Sequence, residues 1–155
     1  MEKEYKRVIE KAREILFKDG FQNISVARLA SEASVDPETL GKMFPSVPDF
    51  IDKMLEYERE SFESIFMEYN FDGMNAVDIL LIVSREVHDR FYHVNPSITL
   101  QLRQFFPDIY KKHIEEKLEF MYMKIKINIE KGIAQGMYRQ ELEAEITARE
   151  FINWF

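Results

Sequence analysis

A chain of 155 residues that is 46% hydrophobic can bury a core as one domain or two small ones, and its net charge of −7 excludes a protein that grips nucleic acid over its whole surface. It contains no cysteine, which removes disulfide frameworks, thiolate metal sites and cysteine nucleophiles. The start "MEKEYKRVIEKAREILF" is charged throughout and lacks the apolar run of a signal peptide or membrane span, so the expectation is a cytoplasmic protein with no membrane partner. The acidity is uneven. Residues 1–55 carry nine Lys/Arg against ten Asp/Glu, a net −1, and the rest carries −6, so a local basic face in the first part is compatible with the overall sign.

Apolar residues at Val8, Ile9, Ala12, Ile15 and Leu16 recur at the helical period and Gly20 follows, which predicts a first helix over roughly residues 3–18. Ser25 is the N-cap expected for a second short helix with Leu29, Ala30 and Ala33 on its inner face. "SVD" turns the chain, and Asp36 with Pro37 opens a third helix with Leu40, Met43 and Phe44 as its apolar contacts. Ser46 and Asp49 have capping-box spacing ahead of one long amphipathic helix toward residue 69. "NFDGMN" is the clearest break. Asn75 with Asp78 starts a helix whose Ile79, Leu80, Ile82, Val83, Val87 and Phe91 predict a face wide enough to be largely buried. Asn95 before Pro96 predicts a cap for the next, and Pro107 opens a long helix that is expected to end in the region of Gly132 and Gly136. "ELEAEITAREFINWF" begins a last helix.

No segment alternates with period two over a strand length, so the predicted class is all-α: three short helices followed by four or five longer ones. Three short helices with a tight turn between the second and third have the layout of a helix-turn-helix, whose third helix offers its N-terminal residues to the DNA major groove. On that helix Glu38, Thr39 and Lys42 are the candidates, Thr39 donating to a phosphate and Lys42 neutralising one, with Arg28, Lys6 and Arg7 on the flanks. A three-helix subdomain that only packs would show the same spacing.

The stretch "VIEKAREILFKDGFQNISVARLASEASVDPETLGKMFPSVPDFIDKMLE" resembles the N-terminal domain of TetR-family transcription regulators. The resemblance is carried by an apolar helix, the Gly20–Phe21 pair, Ser25 before the second helix, the turn around Ala33 and Val35, Thr39 and Leu40 on the third helix and a closing Phe44. It covers about 50 residues. It implies a helix-turn-helix domain over 1–46 that binds double-stranded DNA at a palindromic operator as a homodimer. It also implies a helical ligand-binding and dimerisation domain over 47–155 that senses a small-molecule effector, action as a repressor released by that effector, and no cofactor. Three positions depart from the family pattern: Ser34 for the turn glycine, Gly41 for a phosphate-contacting Tyr, and Val47 for a Lys at the start of the fourth helix. Gly41 has two readings, a close approach of the helix backbone to DNA or a relaxed reading head.

In the later half, His88, Tyr92, His93, Phe106, Tyr110, His113, Tyr122 and several Met have the composition of an apolar pocket with a few polar groups, predicting a ligand cavity between residues 75 and 130. The same residues fit plain core aromatics with exposed histidines. A di-metal bundle enzyme is excluded by the residues three before His88, His93 and His113, which are Arg85, Arg90 and Tyr110 rather than Glu. With no glycine-rich phosphate loop and no G-x-S-x-G elbow either, the chain is expected not to be an enzyme. The apolar end "ITAREFINWF" predicts that Phe151 and Trp154 belong to a dimer interface and that the bundle is truncated at its last helices.

Overall fold

The computed structural model describes residues 2–21, 24–92 and 96–153. Among these are eight helices and no strand: α1 Glu2–Asp19, α2 Val26–Ala33, α3 Pro37–Met43, α4 Val47–Glu68, α5 Ala76–Phe91, α6 Pro96–Phe105, α7 Pro107–Ala134 and α8 Ala144–Ile152. The all-α expectation holds, and so do its local signals. Ser25 Oγ accepts from the Arg28 amide at 3.1 Å, Asp36 Oδ2 accepts from the amides of Glu38 and Thr39 at 3.0 and 3.1 Å, and Asn75 Oδ1 accepts from the Asp78 amide at 2.9 Å. Gly20 closes α1 at φ +74°, a conformation that disfavours any side chain. The expected cap at Asn95, and His93 and Trp154 with it, lie outside the described residues.

The chain packs as two units, and the division falls inside α4 and α7. The first takes in the described residues of 1–59 and 93–113. Its core is the inner face of α1, with Ile9 and Leu16 fully buried, closed by Leu29 and Ala33 of α2, Leu40 of α3, Ile51 and Leu55 of α4, and Ile98 and Leu102 of α6. Phe44 ends α3 inside an aromatic cluster, 5.0 Å edge-on to Phe50 and 5.4 Å from Tyr5. This packing unit is larger than the 1–46 segment assigned to DNA binding, because the first turns of α4 and Ile98 and Leu102 of α6 contribute to the same core. His113, which the sequence left as a pocket residue or an exposed histidine, is buried: Arg59 Nη1 lies 3.0 Å from its Nδ1, and since a guanidinium only donates, Nδ1 is the acceptor.

The second unit takes in the described residues of 60–92 and 114–155. Phe62 and Phe66 of α4 meet Phe120 of α7 edge-on at 5.7 and 5.5 Å, with Ile65 fully buried between the helices. The expectation that α5 would be largely buried is overturned. Of its side chains only Ala76 is buried, and of the predicted face Ile79, Ile82, Val83, Val87 and Phe91 are half-buried and Leu80 is 44% exposed. Apolar residues encircle this helix, whereas its neighbours in the unit cover one side. α5 is instead fixed by polar contacts. Arg90 donates to the Ser61 carbonyl at 2.8 Å and to Glu68 at 2.6 Å on α4, and Tyr69 donates to Glu86 at 2.5 Å.

Candidate nucleic-acid interface and helical cavity

The turn between α2 and α3 is built by Ser34, which takes a left-handed conformation at φ 52°, ψ 47° and lets the Val35 amide donate back to the Ala30 carbonyl at 2.9 Å. This is the position where a glycine was expected, and here a serine supplies the same geometry. Arg7 of α1 donates to the Ser34 carbonyl at 3.3 Å, which sets a guanidinium beside the turn. Downstream, Leu40 points inward while Glu38, Gly41 and Lys42 are exposed and Thr39 is half-exposed, so α3 presents its polar side outward.

The candidate contact residues are not equivalent in this arrangement. Lys42 is 75% exposed and held only by the i,i+4 pair to Glu38 at 2.8 Å, an exposed contact that a phosphate can displace. Arg28 is engaged more firmly, with Nε 2.8 Å from Glu32 and Nη2 2.6 Å from Asp19 at the end of α1, and these hydrogen bonds raise its pKa above the ordinary value. A Cβ on Gly41 would meet nothing within 4 Å, so nothing inside the chain requires glycine there. Val47, at the expected lysine position, is exposed on the first turn of α4.

The five residues named for a ligand site are dispersed. Phe106 and Tyr110 pack on the core of the first unit, Phe106 at 5.9 Å from Phe21. In the second unit, His88 and the exposed Tyr92 contact each other at 4.5 Å, while Tyr122 lies under the Arg149 guanidinium at 4.6 Å. None of the five lines a cavity in the second unit, a space of about 410 Å³ bounded by the end of α4, residues 69–72, Ile79 of α5 and Lys124, Ile127, Asn128 and Lys131 of α7. Its aromatic wall includes Phe66 and a stacked Tyr69–Phe71 pair with centroids 5.6 Å apart. Sequence reasoning passed over Lys124 and Lys131 because lysines on a long helix read as solvated. The run of Phe66, Tyr69 and Phe71 at the "NFDGMN" break is the signal that marks the place. Phe151 of α8 is 47% exposed.

No group of three or more His, Cys, Asp or Glu that could hold a metal ion occurs among the described residues, and no described helix is long and apolar enough to cross a membrane. No family model and no curated protein matches the sequence. Solved structures do match. A TetR transcription regulator from Haloarcula marismortui superposes with a TM-score of 0.78 at 18% identity, covering 99% of this chain and 82% of that one. A TetR-family regulator from Agrobacterium tumefaciens gives 0.77 at 15% identity, over 98% and 83% of the two chains. The fatty acid degradation regulator FadR from Bacillus halodurans gives 0.75 at 18% identity, over 97% and 79%. The chain therefore has the TetR-family regulator fold, a helix-turn-helix domain followed by a helical C-terminal part.

Proposed function

We propose that this protein is a DNA-binding transcription regulator, acting in the cytoplasm as a homodimer on a palindromic operator, and that it is a repressor released by a small-molecule effector rather than an enzyme. The observation that carries the reading is the α2–Ser34–α3 turn with the polar face of α3 turned to solvent. Lys42, Thr39 and Arg7 are the phosphate contacts of this proposal, Glu38 and Gly41 lie on the same face toward the groove, and Arg28 joins only if Asp19 or Glu32 releases it. The regulators that share the fold support it, as does the near-neutral charge of residues 1–55 within an acidic chain. Selection of bound fragments from the source genome at two salt concentrations tests it. A regulator enriches a two-fold symmetric sequence and loses affinity steeply with salt.

A second reading has its own support. The cations of the helix-turn-helix are partnered by carboxylates within the chain, Lys42 by Glu38 and Arg28 by Asp19 and Glu32. In that reading the chain is a ligand-binding or protein-interaction bundle that no longer holds DNA usefully, and the selection enriches nothing.

A further inference from the structure

The cavity of the second unit carries a charge pattern that the regulator reading does not by itself supply. Its polar lining groups are nearly all committed to the fold. Asn128 donates to the Ala76 carbonyl at 2.8 Å and accepts from Tyr138 at 2.9 Å. Lys131 donates to the carbonyls of Phe71 and Asp72 at 2.7 and 3.3 Å, Tyr69 donates to Glu86, and Asn70 Oδ1 accepts from the Asp72 amide at 3.2 Å.

Lys124 is the exception. It is half-buried, and its Nζ sits over the rings of Phe66 at 4.9 Å and Phe120 at 5.2 Å. Among the described residues it has no hydrogen bond and no carboxylate partner. The rings hold the ammonium by its underside and satisfy no N–H, so its donors remain available. Asp72 is exposed and pairs with neither lysine, which leaves the lining with a net charge of +1. The rest of the lining is aromatic, made by Phe66, on which Lys124 rests, and the stacked Tyr69–Phe71 pair, with Phe71 edge-on to Phe66 at 6.1 Å.

We propose that this cavity binds a small organic anion with a flat aromatic body, its acid group on Lys124 and its ring against Phe66, Tyr69 and Phe71. A volume of about 410 Å³ lies within the range of small-molecule sites. The proposal names a chemical class for the effector, and it rests on the regulator reading only for what binding would do to an operator complex.

Calorimetry of the whole chain with 2-naphthoate and its neutral isostere 2-naphthamide, in the absence of DNA, is the test. The acid should bind at least tenfold more tightly than the amide. Lys124→Met should erase that preference and Lys124→Arg should keep it, while Lys117→Met, whose Nζ lies 5.9 Å from the Phe91 ring and outside the cavity, should leave it unchanged. Equal affinities for acid and amide, binding of neither, a preference that survives Lys124→Met or one that Lys117→Met also abolishes would each overturn the proposal. The acid-to-amide ratio is read on the unmodified chain, so a variant that fails to fold does not decide the outcome. A chain that binds no operator but shows the preference would sink the regulator reading and leave this one standing.

Discussion

Ser34 makes the turn between α2 and α3, and it occupies a left-handed conformation that L side chains adopt at a cost of roughly 1–2 kcal/mol. Glycine removes that cost but loses more backbone freedom on folding. The net of the two predicts that Ser34→Gly raises stability by roughly 0.5–1 kcal/mol, while a β-branched residue, Ser34→Val, lowers it by at least ~1 kcal/mol. Urea unfolding of the three proteins checks the order, and a destabilising Ser34→Gly would show that the serine makes a compensating contact. Lys42 belongs to the same scale. Its pair with Glu38 is exposed on both sides, so losing it does little to the fold. Lys42→Ala should weaken binding to all DNA sequences alike and flatten the slope of log affinity against log salt by about one unit. An unchanged slope in a fluorescence-anisotropy titration would remove Lys42 from the contact set.

Elements test the two helical glycines against each other. A methyl at Gly41 enters open space on the face of α3, so Gly41→Ala should gain the full helix-propensity difference of ~1 kcal/mol. At Gly132 in α7 the same methyl would fall 2.1 Å from Tyr138 Cδ2, and the ring cannot move without giving up its 2.9 Å bond to Asn128. Overpacking of this kind costs roughly 1–3 kcal/mol and outweighs propensity, so Gly132→Ala should destabilise. Opposite signs for one substitution on two helices are the expected thermal-melt result. If Gly41→Ala is more stable yet binds DNA less well, the glycine serves a close approach to DNA. The α4–α5 clamp gives a pH prediction. Hydrogen bonds from Arg90 and Ser64 hold Glu68 below the ordinary carboxylate value of 4.5, and hydrogen bonds from Tyr69 and Arg90 do the same for Glu86. In the unfolded chain both protonate near 4.5, so their stabilisation is complete above that pH and is lost as pH falls below it through the lowered folded values. Glu86→Gln should therefore flatten the acid limb of stability against pH, and an unchanged limb would mean that the clamp does not discriminate between folded and unfolded states. What was legible at this scale was local. The caps at Ser25, Asp36 and Asn75 could be read because a cap is decided within four residues. The engagement of Arg28 by Asp19, nine residues away, and the exposure of Leu80 could not, since each depends on which face of a helix a distant segment covers.

The whole molecule distributes its exposed apolar surface unevenly. Among the described residues, Val26, Val47, Leu100 and Phe105 are the exposed large apolar residues of the first unit, whereas the second has nine, including Met67, Leu81, Met123, Ile146 and Phe151. Single exposed apolar side chains are ordinary, and those of the second unit are spread, two each on α5, α7 and α8, with Ile146 and Phe151 of α8 the pair that the proposed homodimer would cover. The fold class was legible from helical periodicity alone. The partner surface was not legible, because a residue that packs on another copy and one that packs on its own core have the same spacing. If the second unit carries the dimer contact, Phe151→Glu should shift the monomer–dimer equilibrium toward monomer by about tenfold or more, since a charge in a desolvated interface core is unfavourable by over 1.4 kcal/mol unless paired. Leu100→Glu, an exposed apolar position of the first unit, is the matched control and should leave the equilibrium where it was. Sedimentation velocity across a concentration series reads both. A dimer that ignores Phe151→Glu and dissociates with Leu100→Glu would move the interface to the first unit.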